Sequence, residues 1–249
     1  MASKFELYGY GVFTTIAVVG DEPFRWESHW RRLTANAQAI AIDLSLYPKT
    51  STYTTLLQAL RAKNIVNGKA RITFSDQRLS PLWMDTPPPC ETALTIIAGE
   101  GRHVPDRFRL SISPYTVNSR SPLVGIKSCN YVENILTLDE AKGRGFDEAV
   151  RVNEKGEITS GAMANLFWLK DGVLVTPTLA TGCLPGTTRE FILENLDCHE
   201  VEAPIGELDA ADAIFLTSAG LGVAEVAEFD GRKLRPSCHP IKSILPWAS

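Results

Sequence analysis

The sequence lacks the features that would indicate a membrane protein, a secreted protein or a nucleic-acid-binding protein. Its 249 residues contain no apolar run close to the ~20 residues that a membrane-spanning helix requires, and the N-terminal residues form no signal-peptide pattern. The 29 acidic residues outnumber the 25 basic ones, whereas nucleic acids and anionic membranes favour basic surfaces. We therefore expect a soluble, cytoplasmic protein with no nucleic-acid or membrane partner.

Cysteine is also scarce, and its spacing does not suit a metal site or a disulfide framework. The five cysteines are scattered, odd in number and without C-x-x-C spacing: Cys90, Cys129, Cys183, Cys198 and Cys238. This usage is typical of reduced thiols in a cytoplasmic protein. We predict no metal site.

The sequence does have the composition of a globular protein, with helix and strand patterns in both halves. Hydrophobic residues make up 44% of the chain and charged residues 22%, which is typical of a domain with a sizeable core. The residues from Pro114 to Pro122 have the composition of a linker. We therefore predict two mixed α/β domains, residues 1–115 and 123–249, joined by a linker at 116–122, with a cleft between them.

Hydrophobic periodicity and turn residues predict the individual elements. In the first half these are strands at 11–19, 70–75, 93–98 and 108–113, a helix with Ser28 as its N-cap, a helix over 54–63 and an irregular proline-rich loop at 80–90. In the second half they are a helix over 132–142, a hairpin at 165–176 that turns at Asp171-Gly172, a helix from Thr187 or Thr188, a short helix near Glu207, a strand at 213–218, a hairpin at 230–231 and a short final helix.

Four short motifs in the second half carry the functional signal. They are G-I-K-S-C-N-Y (125–131), A-N-L-F-W-L-K-D-G-V-L-V-T-P (164–177), L-P-G-T-T-R-E (184–190) and F-L-T-S-A-G-L-G-V (215–223). The first holds a candidate reactive amine, Lys127, and the last two hold small-residue turns that can bind a phosphate. A pyridoxal-phosphate enzyme needs such a lysine and such an anion site. Taken singly, a surface lysine, an ordinary N-cap and a tight turn are the alternatives.

In this order the motifs resemble the class IV aminotransferases, the pyridoxal-phosphate enzymes of fold type IV. That family includes branched-chain and D-amino-acid aminotransferases and 4-amino-4-deoxychorismate lyase. Y-G-Y-G-V-F-T-T-I (8–16) and H-W-R-R-L (29–33) are similar to further motifs of the family, so the resemblance covers nearly the whole chain. It implies the D-amino-acid aminotransferase-like fold, which has two α/β domains with pyridoxal 5'-phosphate in the cleft between them, and a homodimer.

The resemblance also implies the site residues. Lys127 is the catalytic residue and forms the Schiff base with the cofactor. Arg32, on an amphipathic helix, binds the cofactor phosphate, for which a guanidinium is suited because its fork can donate two hydrogen bonds. The other cofactor-binding residues that the resemblance implies are Tyr131, Ser160, Asn165, Thr187, Thr188, Ser218 and Ala219.

One departure from the family pattern bears on the reaction. The family places a glutamate five residues before the asparagine of its N-x-F motif, where the carboxylate keeps the pyridine nitrogen protonated, but this sequence has Ser160 there. The protonated ring is the electron sink for transamination. Since a neutral serine can only share a hydrogen bond, we expect a weaker sink. A reaction that ends in aromatisation needs that sink less.

These points favour a lyase-like enzyme that converts 4-amino-4-deoxychorismate into 4-aminobenzoate and pyruvate. An aminotransferase of branched-chain or D-amino acids is the first alternative, and a cofactor-binding relative without activity is the second. Lys127 argues against the second, because a non-catalytic protein has no use for a cofactor-binding lysine. The expected partner is a small amino-acid-like substrate, and we expect the loops at 76–91 and 114–122 to select it.

Overall fold

The computed structural model describes residues 2–79, 91–101, 104–105 and 107–247. Within it the chain forms two compact units, each discontinuous in sequence. The first unit is Met1–Arg102 with Ile126–Tyr131, and the second is His103–Gly125 with Val132–Ser249. The loop predicted at 80–90, which includes Cys90, lies outside the described residues.

This division differs from the predicted domain boundaries in two places, and strand pairing explains both. The strand at Phe108–Ile112, assigned from sequence to the first domain, pairs with Glu148–Val152 in the second unit. Residues 126–131, assigned to the second domain, pair through backbone hydrogen bonds with Gly11 and Phe13 of the first unit. Composition alone does not reveal such pairing between distant segments.

The first unit is an antiparallel sheet with two longer helices. In chain order its elements are α1 (Lys4–Tyr8), β1 (Gly11–Val19), β2 (Glu22–Pro23), α2 (Trp26–Ala39), α3 (Lys49–Ala62), β3 (Gly68–Asp76) and β4 (Thr92–Gly99). The strand order in this sheet is β2-β1-β3-β4.

The two faces of this sheet differ because side chains alternate along each strand. On one face, Val12, Ile16 and Phe74 are completely buried and share a core with Leu33 of α2. Burial of each such side chain contributes about 1.5–3 kcal/mol, so this face holds the unit together. The opposite face carries Phe13.

Helix α2 begins at Trp26, two residues before the predicted N-cap. Its N-cap is Arg25, whose φ of 54° lies in the left-handed region. Ser28 lies inside the first turn, and its hydroxyl accepts a hydrogen bond from the guanidinium of Arg25 at 2.9 Å. The prediction of Ser28 as the N-cap is therefore wrong, because this hydroxyl binds a side chain instead of a backbone N–H.

The second unit is built on a larger mixed sheet. In chain order its elements are β5 (Phe108–Ile112), α4 (Val132–Gly143), β6 (Glu148–Val152), β7 (Ile158–Gly161), β8 (Asn165–Lys170), β9 (Val173–Pro177), α5 (Thr187–Asn195), β10 (His199–Val201), β11 (Ala213–Ser218), β12 (Gly222–Phe229) and β13 (Arg232–Lys233). The main strand order is β10-β9-β8-β11-β12-β5-β6-β7, and β13 pairs with β12. Short 3-10 helices lie at Leu179–Thr181, Ile205–Ala210 and Pro240–Ser243.

Strand β8 is buried on both faces, which explains its unbroken apolar run. Leu166 and Trp168 belong to one core cluster. Phe167 and Leu169 point the other way and pack in a second cluster with Ile192 of α5. Two-sided burial fixes the register of β8, since a slip by one residue would exchange these clusters.

Most of the predicted elements are confirmed, including the hairpin that turns at Asp171-Gly172. Both turn residues have positive φ, 51° and 77°, as a two-residue hairpin turn requires. In the described part of the chain, Cys129, Cys183, Cys198 and Cys238 are free thiols. No described helix is long and apolar enough to cross a membrane.

Candidate active site

The lysine motif is fixed by its backbone to the first unit. The N–H of Phe13 donates to the carbonyl of Lys127 at 2.9 Å, and the N–H of Cys129 donates to the carbonyl of Gly11 at 2.8 Å. The N–H of Lys127 itself donates to the side-chain oxygen of Asn36 on α2, at 2.9 Å. The position of Lys127 is therefore set by both β1 and α2.

The amine of Lys127 lies in a half-buried aromatic environment. Its Nζ is 3.2 Å from the hydroxyl of Tyr131, to which it donates. It is also 4.6 Å from the ring centroid of Phe13. Burial, and then the positive charges of Arg32 and Arg71, lower the pKa of Lys127 from 10.5 to about 7. A large share of this amine is therefore neutral and nucleophilic near pH 7.

Arg32 is tied to β1 through a buried hydroxyl. Its guanidinium donates to the Oγ1 of Thr14 at 2.9 Å, and the same oxygen is 2.7 Å from the Nδ1 of His29. Burial, followed by the charge of Arg32, holds the pKa of His29 well below 6.5. His29 is therefore neutral, so its Nδ1 can accept from Thr14 while Thr14 accepts from Arg32.

Arg71 is a site residue that the sequence analysis missed. It lies on β3 opposite Thr15 of β1, and its guanidinium stacks 3.5 Å from the ring centroid of Phe13. Its Nε also donates to Thr73 at 3.3 Å. The alternation of β3 would have placed Arg71 on the face away from the helices. Only the pairing with β1 shows that this face carries Phe13.

In the second unit the G-T-T-R motif begins helix α5, as predicted. Gly186 is the N-cap and provides no side-chain cap, and Thr187 and Thr188 are buried in the first turn. The first backbone N–H groups of a helix have no partner within the helix and suit an anion. Asn165 positions this turn by donating from its Nδ2 to the carbonyl of Leu184 at 2.8 Å. A Cβ on Gly186 would overlap the Oδ1 of Asn165, so a larger residue here would displace the asparagine side chain.

The turn after β11 lies beside the same asparagine. Thr217 is the strand partner of Asn165, which brings the following Ser218 and Ala219 to the end of β11 next to β8. The hydroxyl of Ser218 accepts from the N–H of Leu221 at 3.1 Å and so closes the turn. The Oγ1 of Thr217 is buried and has no hydrogen-bond partner among the described residues.

Ser160 lies on β7, half-buried, with Arg151 of β6 as its strand partner. The nearby acidic side chains are engaged elsewhere. Buried Glu148 accepts from the backbone N–H groups of Ala149, Ala162 and Met163, and Glu157 accepts from Asn153 at 2.7 Å. Burial raises the pKa of Glu148, against the opposing effect of its three backbone donors.

The structure thus groups the predicted site residues within each unit. Three lie in the first unit around the lysine amine: Arg32, Lys127 and Tyr131. In the second unit, one end of β8 and β11 gathers Asn165, Thr187, Thr188, Ser218 and Ala219, while Ser160 lies on β7. Around the lysine amine, the residues that the sequence analysis did not assign to the site are Phe13, Thr14, His29, Asn36 and Arg71. Beside Ser160 it did not single out Arg151.

Comparison with known proteins agrees with these features. The sequence matches the family described as amino-transferase class IV over residues 11–229. It is 29% identical to a protein of Methanocaldococcus jannaschii provisionally named a branched-chain-amino-acid aminotransferase, over 91% of this chain and 81% of the relative. It is 27% identical to the aminodeoxychorismate lyase of Bacillus subtilis, over 87% of this chain and 76% of the relative.

The fold is also shared with solved structures. A crystal structure from Legionella pneumophila, provisionally named a 4-amino-4-deoxychorismate lyase, superposes with a TM-score of 0.89 at 25% identity. The match covers 98% of this chain and 91% of that one. The predicted fold type IV architecture is thereby confirmed, and so is the resemblance drawn from the motifs.

Proposed function

The chain belongs to the class IV aminotransferases, a family of pyridoxal-phosphate enzymes, and on that basis we propose that Lys127 binds pyridoxal phosphate covalently. The observation that carries this proposal is the Lys127 amine, half-buried between Phe13 and Tyr131 with its pKa lowered to about 7. An ordinary surface lysine would keep its proton at neutral pH and would be a poor nucleophile.

The residues present fit this cofactor. Helix α5 begins after Gly186 with two buried threonines, and the start of a helix suits an anion. The buried hydroxyl of Thr217 lacks a partner within the described chain. We propose that the phosphate is held by a set of cationic, hydroxyl and backbone donors: Arg32, Thr187, Thr188, Ser218 and Ala219. Tyr131 and Asn165 would complete the cofactor-binding residues. When bound, the cofactor supplies the electron sink for reactions at an amine-bearing carbon.

Two properties of Lys127 suit it for proton transfer as well as attachment. Its pKa of about 7 lies near neutral pH, where a general acid-base group works best. Its hydrogen bond to Tyr131 and the backbone contacts of its segment orient the amine. We therefore propose that Lys127 takes the proton from the amine-bearing carbon of the substrate and gives it to the leaving group.

Among the reactions of the family, we propose the lyase reaction on 4-amino-4-deoxychorismate. The bond between the ring carbon and the ether oxygen breaks, and the ring loses the proton on its amine-bearing carbon to become 4-aminobenzoate. The leaving group departs as the enolate of pyruvate, which takes up one proton to become pyruvate. Aromatisation drives this step, so it tolerates Ser160 where the family has a carboxylate. Similarity to relatives named as a lyase and as an aminotransferase leaves amino transfer by branched-chain or D-amino acids as the alternative.

A two-part experiment tests the proposal. The purified protein, supplied with pyridoxal phosphate, should show a near-visible absorption band that borohydride reduction removes. A protein without this band would not bind the cofactor as a Schiff base, and a protein with the band but without turnover would be the cofactor-binding relative without activity. The loaded protein should then release pyruvate from 4-amino-4-deoxychorismate faster than it transfers amino groups from a panel of L- and D-amino acids to 2-oxoglutarate. The reverse order would make it an aminotransferase. We also propose that the protein is a cytoplasmic homodimer. Light scattering would measure its molar mass and so test the dimer.

A further inference from the structure

Arg151 is a buried arginine on strand β6. Only 5% of its side chain is exposed. Its Nη2 donates to the carboxylate of Glu133, at the start of α4, at 2.5 Å. Its Nε is buried and has no hydrogen-bond partner among the described residues. A buried guanidinium with an unused donor is costly, and an ion pair with an exposed glutamate explains only part of its environment.

The side chain of Arg151 begins next to Ser160. Arg151 and Ser160 are direct partners across the β6–β7 pair, and the register shifts only beyond Arg151. Directly opposed residues of an antiparallel pair project from the same face, with Cβ atoms about 4.5–5.5 Å apart. The guanidinium stem therefore begins beside the serine hydroxyl.

We propose that Arg151 and Ser160 act together on the pyridine nitrogen of the cofactor, with the guanidinium charge keeping that nitrogen unprotonated. This inference rests on the proposed function, in which Ser160 occupies the position facing the ring. Arg151 is a tuning residue that acts beside Ser160, and its charge disfavours a pyridinium in the same way that any nearby cation does. The site would then be cationic where a carboxylate would make it anionic.

The charged groups around Arg151 are consistent with this assignment. Glu133 is its ion-pair partner, but 62% of the glutamate side chain is exposed, so water screens its charge. Glu148 is three residues earlier on the same strand and therefore points to the opposite face. Its carboxylate is occupied by three backbone N–H groups.

The proposal predicts that the two positions depend on each other. Ser160→Glu alone would place a carboxylate beside Arg151, and the two charges would pair instead of protonating the ring. Protonation should require Arg151→Met as well. In the double variant the ring nitrogen should show a pKa higher than in wild type by roughly 1–3. Either single variant should show much less.

The test measures the 15N chemical shift of the ring nitrogen against pH, with 15N-labelled pyridoxal phosphate bound to five proteins and to one control variant. These are wild type, Arg151→Met, Ser160→Glu, the double variant and Arg151→Lys, which keeps the charge and should resemble wild type. Arg144→Met, which removes an exposed arginine ion-paired with Glu140, is the matched control and should not change the shift. A protonated ring in the wild type, or equal protonation in Ser160→Glu and the double variant, would overturn the proposal.

A second readout uses the cofactor-free proteins. Ser160→Glu should lower the Tm less when Arg151 is present than in the Arg151→Met background, because only then does the new carboxylate have a partner. Equal changes in Tm would show that the two side chains do not meet and would also overturn the proposal. If wild type forms no borohydride-reducible band, the proposed function fails instead, and this Tm comparison still shows whether the two side chains meet.

Discussion

The two units offer different kinds of binding group. Around Lys127 the first unit places the side-chain cations Arg32 and Arg71. Burial is the largest cause of the lowered pKa of this lysine, and the two positive charges lower it further. At the end of β8 and β11 the second unit places glycine, threonine and serine turns beside Asn165. Side-chain cations can activate an amine through their charge, whereas backbone and hydroxyl donors bind an anion without adding charge. The predictions below separate these two contributions.

Replacement of the lysine should have the largest effect. Lys127→Ala should abolish the borohydride-reducible absorption band and all turnover, because no other amine would occupy the position that β1 and α2 give to Lys127. The fold should survive, as circular dichroism can check, since the side chain is half-buried and lies outside the core clusters. Lys233→Ala, which removes an exposed lysine of β13, should leave both properties unchanged. Full activity in Lys127→Ala would end this account.

Loss of a cation from the first unit should strongly weaken the binding of the cofactor. A charge-assisted hydrogen bond contributes about 1.5–3 kcal/mol, so Arg32→Ala should raise the Kd of pyridoxal phosphate by roughly tenfold or more. Fluorescence titration measures this change. Arg31→Ala, on the exposed side of the same helix, is the control and should bind normally. An unchanged Kd in Arg32→Ala would remove Arg32 from the phosphate site.

A single methyl group should disturb the second unit's turn. In Gly186→Ala the new Cβ meets the Oδ1 of Asn165, so the asparagine side chain or the turn must shift, at a cost of about 1–3 kcal/mol. We expect a lower Tm and weaker cofactor binding. Gly143→Ala, at the end of α4 where a Cβ meets nothing within 4 Å, should keep wild-type values. Normal binding and stability in Gly186→Ala would show that this turn is not tightly built.

The smallest expected effect is a change in pH dependence. Cofactor attachment should speed up as pH rises through about 7, where Lys127 loses its proton. Arg71→Met removes one of the cations that lower this pKa, so the midpoint should move to higher pH. Since the folded cofactor-free protein loses this proton before the unfolded chain does, its stability should also rise between pH 7 and pH 10.5. Stopped-flow rates that give the same midpoint in both proteins would contradict the role assigned to Arg71.

The sequence predicts those parts of the fold and of the candidate site that depend on residues close together along the chain. Strand β1 and strand β11 begin and end where their periodicity predicts. Lys127 and Gly186 can be found from the sequence because each belongs to a recognisable short motif. Arg71 and Arg151 could not be found this way, because each matters only through a residue on a paired strand. The same reason explains the discontinuous units, since the pairing of β5 with β6 joins segments about forty residues apart.

The central claim, that Lys127 carries the cofactor, has one direct test. The protein loaded with pyridoxal phosphate is reduced with borohydride and digested, and mass spectrometry locates the phosphopyridoxyl group. We predict the modification on Lys127 alone, in the peptide that contains G-I-K-S-C-N-Y. A modification at another lysine, or none in protein shown to bind pyridoxal phosphate, would contradict the account.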